Sequence, residues 1–584
     1  MHETDGPTAA RRRFLLGAAA AAGAAWVPLG RVPVAEGAGA CVVPPGFPAG
    51  IELYRQAFES WSGELVVDDL WTCRPADAAD VVVLAEWARS SGYRLRPRGA
   101  MHGWSPLCVA GDETCETAVV LLDTTGLGGR DTISFGTRNG VPTVTAGGGT
   151  LLDDLHEAME EAGVGLAAAP ALGAVTLGGV LAIDGHGTAV PAAGEQRPVG
   201  QTYGSLSNLV LSLDVVAWDP GRRAYALQTI DRTDRRAPAL LTNLGRAFVV
   251  RATLQASPNQ RLRCVSTVDT TADELFAPPG SPGRTFERML DESGRVEAIW
   301  YVFTDRPWMK SWRVAPAKPL TSRAVDGPYN YPFSDNIPEE LALLGASLVQ
   351  GNGTSTPVFG QMLYAASAAG LVSTASLDLW GWSQDLLRYI KPTTIRVTQT
   401  GHVVLTRRDR VQEVVHRFAE QYGAMLDAYR AREEYPVSLG VEIRVSGLER
   451  SADVDAVPGA EPPLLSALHE VADHPDRDTA VWFDVLSFPE TPGRERFSRE
   501  LEAWFFDDLG ADHTVRVEWS KGWAYTDDAT WSDPDVLRRR IPDSQRDGRR
   551  SGRWDAAART LDALDPAGVW RTDLHDRLFG PVTP

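Results

Sequence analysis

Residues 96–106 read Arg-Pro-Arg-Gly-Ala-Met-His-Gly-Trp-Ser-Pro and place one histidine, His102, in a loop of small residues. The apolar pattern of residues 76–91 predicts a helix before this loop, and Gly92 suits the position after the helix end. The short segment that follows is expected to be extended, because Pro97 biases its predecessor away from helix. The chain therefore runs from helix to strand to glycine loop. Such a loop lets the backbone approach a phosphate-bearing ligand closely.

The loop resembles a flavin-attachment motif. Residues 98–105 match the R-G-x-x-H-G-W-S pattern of FAD-binding domains in the vanillyl-alcohol oxidase superfamily, and most closely that of its covalently flavinylated cholesterol oxidases. In that family the histidine is bonded to the 8α-methyl group of the flavin. The resemblance therefore implies a covalent 8α-histidyl FAD at His102, and it extends from about Cys41 to the C-terminus.

Length and charge limit the classes of protein to consider. The chain has 584 residues, of which 43% are hydrophobic and 23% charged, as expected for a soluble globular protein of two or more domains. Its formal net charge is −19, which argues against a nucleic-acid partner because phosphate binding needs a basic surface.

The first 40 residues have the pattern of an export signal. Arg11-Arg-Arg-Phe-Leu15 precedes a short run rich in Ala and Gly. A basic start, a short apolar run and a small-residue end are typical of a signal peptide, and paired arginines followed by x-Phe-Leu fit the twin-arginine route. The run is too short for a convincing membrane anchor. We therefore expect secretion by twin-arginine export and removal of residues 1–40.

The remaining chain is expected to form an α+β protein. Residues 41–265 resemble a two-lobed FAD-binding domain of the vanillyl-alcohol oxidase type. Residues 266–545 resemble the substrate-binding domain of the cholesterol oxidases, an α+β cap with a mainly antiparallel sheet. Residues 546–584 are expected to return to the FAD-binding domain.

Clusters of glycine recur through residues 98–250, and no G-x-G-x-x-G follows a strand in the Rossmann manner. A diphosphate held by backbone N–H groups needs such side-chain-free loops. Taken alone, any one of these glycine clusters could instead be an ordinary turn without a ligand. The resemblance implies FAD contacts at Arg98, Gly99, Ala100, Met101, Gly103, Gly178, Gly179, Gly187, Tyr203 and Val250. His186 is interpreted as a packing residue and not as a second attachment point.

Three cap segments place a carboxylate and an arginine two positions apart among apolar residues: Arg295-Val-Glu297, Glu442-Ile-Arg444 and Arg516-Val-Glu518. On a strand, residues i and i+2 share a face. Each pair is therefore either an exposed salt bridge of little consequence or part of a buried site.

The resemblance assigns roles to some of these residues. A Glu-x-Arg pair beside the flavin controls oxygen access in the covalent cholesterol oxidases, and Glu442 and Arg444 match it. Glu518 and Lys521 match residues near the flavin ring or the steroid hydroxyl. A further acidic residue is assigned to Glu297, with Asp291, Glu292 and Asp305 left open.

Cysteine and aromatic residues give little further information about the site. Five cysteines form no disulfide scaffold and show no metal-ligand spacing, so we expect no metal, and Cys108 and Cys115 are a candidate pair for a small loop. An aromatic cluster is either a steroid-cavity wall or ordinary packing. Its members are Trp300, Tyr301, Phe303, Trp308 and Trp312.

The leading hypothesis is a monomeric secreted flavoprotein oxidase. It would convert a 3β-hydroxysterol such as cholesterol to the 3-ketosteroid, reduce O2 to H2O2, and isomerise the product to the 4-en-3-one through Glu297 or Glu442. Transient contact with a membrane surface would supply the sterol. The alternatives are a polyol or aldonolactone oxidase of the same superfamily and a non-catalytic sterol-binding protein on the same scaffold.

Overall fold

The structure is a computed structural model that describes residues 41–335, 338–392, 394–546 and 552–581. The predicted export signal, residues 1–40, lies outside the described residues. Within them the protein mixes helices and sheets, with an antiparallel sheet in the cap, and this confirms the α+β prediction. None of the described helices combines the length and hydropathy that a membrane span requires.

The first sheet of the N-terminal domain presents the glycine loop. Its elements are β1 (Glu52–Glu59), β2 (Val66–Arg74), α1 (Ala78–Ser91), β3 (Arg94–Arg98) and β4 (Val119–Asp123). Helix α1 begins where the Asp77 side chain accepts from the N–H groups of Ala79 and Asp80, and it ends at Gly92, which has a φ of 74°. The strand order is β1-β2-β4-β3, so β3 lies at the sheet edge and stops immediately before the loop.

A second sheet completes this domain. Its elements and their neighbours are β5 (Ser134–Arg138), β6 (Val141–Gly147), α2 (Leu152–Glu161), β7 (Val164–Gly165), α3 (Leu177–Ala182), β8 (Val210–Asp219), β9 (Ala224–Asp231), α4 (Ala237–Leu241), β10 (Phe248–Gln255) and β11 (Ser257–Pro258). The order β5-β6-β10-β8-β9 is antiparallel throughout. Within the described residues no side chain caps the first turn of α2, and the hydroxyl groups of Thr150 and Thr132 lie 2.9 Å apart instead.

The cap is built on one nine-stranded sheet. Its elements are β12 (Arg261–Thr267), α5 (Ala272–Leu275), α6 (Phe286–Ser293), β13 (Arg295–Tyr301), β14 (Trp308–Val314), β15 (Arg323–Ala324), α7 (Pro332–Asp335), α8 (Glu339–Val349), α9 (Thr356–Ser373), β16 (Asp378–Trp382), α10 (Ser383–Leu387), β17 (Thr398–Thr406), α11 (Val411–Arg430), β18 (Gly440–Gly447), β19 (Thr479–Ser487), α12 (Arg494–Asp507) and β20 (Thr514–Val517). The order is β15-β16-β12-β14-β13-β18-β19-β17-β20, and only β15 and β16 pair in parallel. Helices α6, α11 and α12 pack on one face of this sheet over an apolar core. The other face points toward the N-terminal domain.

The C-terminal segment lies against the first sheet. It contains α13 (Ile541–Arg546), α14 (Arg553–Leu564) and α15 (Asp573–Phe579). The N–H group of Leu95 in β3 donates to the Val569 carbonyl at 2.8 Å, and Arg96 donates to the Arg571 carbonyl. Trp570 is buried in the same hydrophobic cluster as Leu95. The last residues of the chain therefore support the strand that carries the glycine loop.

The disulfide differs from the expected pairing. Cys115 is bonded to Cys41, and Cys108 is a free thiol whose Sγ lies 3.2 Å from the Pro97 carbonyl oxygen. The candidate Cys108–Cys115 loop is therefore wrong, because Cys108 lies along the inner edge of the cavity whereas Cys115 meets the N-terminal segment. Asp69 lies near both half-cystines.

Candidate active site

A cavity of about 520 Å³ lies between the N-terminal domain and the inner face of the cap sheet. The N-terminal domain contributes the loop after β3, α3 and the turn before β10. The cap contributes residues from β13, β14 and β18, from α8 and α9, and from the segment after β20. Twelve of the predicted site residues line this cavity: Arg98, Gly99, Ala100, Met101, His102, Gly103, Gly178, Gly179, Glu442, Arg444, Glu518 and Lys521.

The loop after β3 exposes its backbone donors to the cavity. Among the described residues, no acceptor is present for the N–H groups of residues 99–103. Gly99 is required for close approach, because a Cβ there would lie 2.3 Å from the Thr176 hydroxyl oxygen. Gly103 faces open space, with no atom within 4 Å of an ideal Cβ. The loop thus offers several donors on a surface free of side chains.

His102 is held between two indole rings. Its ring centroid lies 4.7 Å from that of Trp61 and 5.3 Å from that of Trp104. Burial lowers the pKa of His102 to about 3, and the positive charge of Lys521 adds to the shift. The imidazole is therefore neutral at physiological pH and keeps a nucleophilic lone pair.

The last residues of the motif connect the loop to the cap. The Trp104 N–H donates to the Ser520 carbonyl at 2.9 Å, and the Ser105 hydroxyl donates to the Trp519 carbonyl at 2.6 Å. The Lys521 ammonium lies 3.9 Å from the centroid of the Trp104 ring. These contacts fix Glu518 and Lys521 beside the glycine loop.

The inner face of the cap sheet carries a row of charged side chains in register. Glu442 on β18 lies opposite Asp484 on β19, and Arg444 lies opposite Glu297 on β13. The exposed salt-bridge interpretation of the Glu-x-Arg pairs is wrong, because none of these side chains is exposed. The partners within each segment also do not pair with one another. Arg295, for example, binds Glu195 at 3.1 Å instead of Glu297.

Arg444 is held by two acids from other segments. It donates to Asp484, and its Nη2 lies 3.7 Å from Glu518 Oε2. Burial raises the pKa of Asp484 to about 8 against the opposing charge of Arg444. Burial would also raise the pKa of Glu518, but the charges of Lys521 and Arg444 hold it below its ordinary value. The cluster therefore keeps a guanidinium and an ionised carboxylate at the cavity wall.

Glu442 is different, because its carboxylate accepts no hydrogen bond from any residue that the structure describes. It lines the cavity on the strand next to Ile299. Burial and the negative charge of Glu297 raise its pKa above the ordinary glutamate value. A half-buried carboxylate without a partner, facing an apolar space, is poised to accept and return a proton.

Glu297 lies behind the cavity wall. Its Oε2 is 3.0 Å from the Lys310 ammonium, and its Oε1 accepts from the Tyr389 hydroxyl at 2.6 Å. Lys310 and Tyr389 line the cavity, whereas Glu297 does not. Both carboxylate oxygens are thus occupied by neighbours that separate Glu297 from the cavity.

Comparison with known proteins agrees with this arrangement. Residues 261–580 match the family model for the substrate-binding domain of cholesterol oxidase, and residues 71–222 match the model for an FAD-binding domain. A solvent-stable cholesterol oxidase is 49% identical with a TM-score of 0.90, covering 92% of this chain and 100% of its own. The chain belongs to the cholesterol oxidase family. The structure of cholesterol oxidase from B. sterolicum is 43% identical with a TM-score of 0.90, covering 93% of this chain and 100% of its own.

A histidine-to-alanine variant of the Brevibacterium sterolicum cholesterol oxidase gives a TM-score of 0.88 at 43% identity, covering 93% of this chain and 100% of its own. The comparison with curated proteins produced no match. The predicted membership of the cholesterol oxidase family is therefore confirmed. Neither the polyol oxidase alternative nor the non-catalytic alternative is favoured.

The cavity of this cholesterol oxidase family member fits FAD. The free N–H groups of residues 99–103 and the open space at Gly103 form a cradle that side chains would fill. The Arg98 guanidinium is paired with Asp123 at 2.8 Å, yet its buried Nε has no hydrogen-bond partner within the described ranges. These unsatisfied donors suit the phosphates and ring oxygens of a flavin.

Three predicted FAD contacts lie outside the cavity lining. Gly187 packs against the Ala169 backbone, where a Cβ would lie 2.5 Å from the nitrogen. The Tyr203 hydroxyl donates to Glu195 at 3.2 Å, in a second pocket whose lining includes no residue of the glycine loop. Val250 offers its carbonyl to the Gly148 N–H, and its neighbour Val249 lines the cavity instead.

His186 and the aromatic cluster also have defined positions. His186 lines the cavity, stacks on Trp482 at 3.8 Å between ring centroids, and lies 3.8 Å from Glu518. Of the predicted aromatic wall, Trp300, Tyr301 and Trp308 line the cavity, whereas Phe303 and Trp312 do not.

The residues that sequence reasoning missed are Asp484, Lys310, Tyr389 and Gln399, which accepts from Lys521. Lys310 and Asp484 are charged residues within otherwise apolar strands, and this pattern could have identified them from the sequence.

Proposed function

We propose that this protein oxidises the 3β-hydroxyl group of a sterol to a ketone, with O2 as the electron acceptor and H2O2 as the product. The observation that carries the proposal is the unpaired Glu442 carboxylate, which faces an apolar cavity beside the glycine loop. The cholesterol oxidase relatives and the sterol-domain match support the substrate class.

Three side chains have distinct roles in the proposed reaction. Bound FAD supplies the hydride acceptor. Glu442 accepts the hydroxyl proton, while Arg444 and Lys521 stabilise the negative charge that develops on the substrate oxygen. A 5-en-3-one product then becomes the conjugated 4-en-3-one when a proton moves from C4 to C6. We assign this transfer to Glu442, which must first release the hydroxyl proton that ends in H2O2, because Glu297 is covered by Lys310 and Tyr389.

We also propose that the flavin is bonded to His102 through its 8α carbon. The neutral imidazole lies in the cavity with no hydrogen-bond partner among the described residues, which supports this assignment. Replacing His102 with alanine should leave FAD that is released when the protein is denatured in acid. Yellow colour that stays in the protein pellet of that variant would remove His102 from this role.

The proposed oxidation can be tested in one experiment. Purified protein is mixed anaerobically with detergent-dispersed cholesterol while the visible flavin spectrum is recorded. Bleaching that reverses on admitting air would support a sterol oxidase. A spectrum that bleaches with xylitol and stays unchanged with cholesterol would contradict the proposed substrate.

Two further expectations remain proposals. The export pattern of residues 1–40 supports secretion through the twin-arginine route. The net charge of −19 favours a monomer that meets its sterol by transient contact with a membrane surface, because like charges keep copies of the chain apart.

A further inference from the structure

One methionine lies in the wall of the cavity. The chain has seven methionines, and Met1 lies outside the described residues. Of the six that the structure describes, only Met101 lines the cavity. Met362 is 37% exposed at the surface of the cap, and the other four are packed in apolar clusters: Met159, Met289, Met309 and Met425. Met101 is therefore the one described thioether that faces the space proposed for the flavin and the sterol.

Met101 directly precedes His102, and its contacts connect the two residues. Its sulfur lies 3.8 Å from Arg98 Nη1, while Nη2 of the same guanidinium pairs with Asp123 at 2.8 Å. Its carbonyl accepts from the Trp61 N–H at 2.7 Å, and the Trp61 ring packs on His102. Met101 also has a φ of 57°, a conformation that a residue other than glycine keeps only when its surroundings determine it. A change in the Met101 side chain should therefore disturb Arg98 and the loop that carries His102.

Peroxide converts a methionine thioether to the sulfoxide without any further reactant. The sulfur lone pair attacks one oxygen of H2O2, the O–O bond breaks, and a sulfur–oxygen bond forms. The second oxygen leaves as water with both protons, so sulfur is oxidised and peroxide is reduced. The Cys108 thiol also lines the cavity, but burial raises its pKa to about 12 and keeps it protonated. Because the thiolate is the reactive form of cysteine, Met101 is the more exposed of the two sulfur groups to this chemistry.

We propose that H2O2 formed in the cavity oxidises Met101 to the sulfoxide, and that this modification slows the protein's own turnover. This inference rests on the proposed sterol oxidation, which supplies the peroxide. Met101 meets the peroxide where it forms, because the glycine loop and Glu442 line the same cavity. The sulfoxide oxygen is a stronger hydrogen-bond acceptor than the thioether sulfur, so it draws the Arg98 guanidinium away from Asp123.

The test follows peptide masses during turnover in the presence of catalase. The holoenzyme oxidises detergent-dispersed cholesterol in air, and catalase destroys peroxide in solution but is too large to enter the cavity. When the rate has halved, we expect a gain of about 16 Da at Met101 in roughly half of the molecules, and at Met362 in fewer than about one in ten. Fragment masses distinguish oxidation of Met101 from oxidation of Trp104 or Cys108 in the same peptide.

Peroxide added from outside provides the reference for this measurement. In a sample with H2O2 but without sterol and catalase, Met362 should be oxidised before Met101. The order reverses because Met362 is exposed, whereas Met101 is partly buried in the cavity wall. The comparison thus separates peroxide that is formed inside the protein from peroxide that arrives through the solvent.

Met101→Leu tests whether the modification causes the loss of rate, with Met362→Leu as the matched control. Leucine keeps nearly the volume of methionine and removes the sulfur. Each protein is compared with its own initial rate. We expect the rate of Met101→Leu to decline at least about threefold more slowly than that of the unmodified protein, and the control to decline as the unmodified protein does.

Three outcomes would overturn the inference. One is an unmodified Met101 after prolonged turnover, whether or not the rate has fallen. Another is equal oxidation of Met101 and Met362 during turnover with catalase, because the oxidant would then come from solution. The third is an equal decline in the rates of Met101→Leu and the unmodified protein. Oxygen uptake reports on the proposed function separately: if cholesterol causes none, the proposed oxidation itself is wrong and this inference falls with it.

Discussion

Opening the Cys41–Cys115 disulfide should lower the free energy of unfolding by about 4.5 kcal/mol, and the double variant Cys41→Ser/Cys115→Ser makes this change without leaving a free thiol. The two cysteines are 74 positions apart. The chain-entropy relation for a loop of about 75 residues gives an entropy of roughly 15 cal/mol/K, which is about 4.5 kcal/mol at 25 °C. The bond thus restrains the unfolded state over β1 to β3 and the His102 loop.

The same figure predicts the change in melting temperature. With an unfolding entropy of roughly 2.1 cal/mol/K per residue, the midpoint should fall by about 4 °C if some 540 residues unfold together. It should fall by about 10 °C if only the roughly 220 residues of the FAD-binding domain unfold in that transition. The size of the shift therefore reports whether the two domains unfold as one unit.

The assay is urea unfolding followed by tryptophan fluorescence, with and without a reducing agent. Reduction should shift the unmodified protein to the midpoint of the double variant and leave the double variant unchanged. A loss smaller than about 1 kcal/mol would refute the loop-closure reasoning. An equal effect of reductant on both proteins would show that the effect does not arise from the Cys41–Cys115 bond.

Three further changes test the site and its surroundings. Glu442→Gln should lower kcat for oxidation by about 10²- to 10⁴-fold while the flavin spectrum is retained. Because the pKa of Glu442 is raised, this residue takes up a proton at a higher pH than an ordinary glutamate does. The activity of the unmodified protein should therefore begin to fall on the acid side at a pH above the ordinary glutamate range. Steady-state rates measured against pH check this fall and the effect of Glu442→Gln. Lys310→Met leaves the Glu297 charge buried without its cation and should reduce stability by about 3–5 kcal/mol, and adding Glu297→Gln should recover most of the loss in urea unfolding. Burial and the charge of Asp184 raise the pKa of Glu449 well above its ordinary value, so the folded state binds its proton more tightly and stability falls as pH rises above the unfolded pKa. Glu449→Gln should remove that fall. The urea midpoint of the variant should therefore rise relative to that of the unmodified protein between about pH 5 and about pH 8. A difference between the two midpoints that stays constant with pH would contradict the assignment.

Short-range patterns in the sequence predicted much of the site. Helix α1, Gly92 at its end and the glycine loop around His102 follow from local spacing and turn chemistry. The alternation along β18 correctly placed Glu442 and Arg444 on one face. These features depend on residues that are neighbours in the chain.

Contacts between distant segments could not be predicted in the same way. Arg444 pairs with Asp484, 40 positions away, because the register of β18 on β19 brings them together. Cysteine counts do not determine connectivity, so the Cys41–Cys115 bond could not be selected from the sequence. Lys310 sits inside an aromatic cluster drawn from β14, the segment around Tyr331 and the segment around Tyr389.

Helix α9 escaped prediction for a different physical reason. Sequence methods recognise a surface helix by the contrast between a polar and an apolar face. In α9 both faces are apolar, because one lines the cavity and the other exposes Val358, Met362 and Val372. The contrast by which an amphipathic helix is recognised is therefore missing from this segment.

The contacts of residues 569–575 make the glycine loop dependent on a distant part of the chain. Val569 and Arg571 bond to β3, and His575 bonds to the Leu244 carbonyl at 2.8 Å. Arg96 and Arg571 are 475 positions apart, so the strand beneath the glycine loop gains these bonds only when two remote segments dock. The local order of the loop is therefore coupled to the completion of the whole fold, and a partly folded chain without this docking leaves the edge of β3 unpaired.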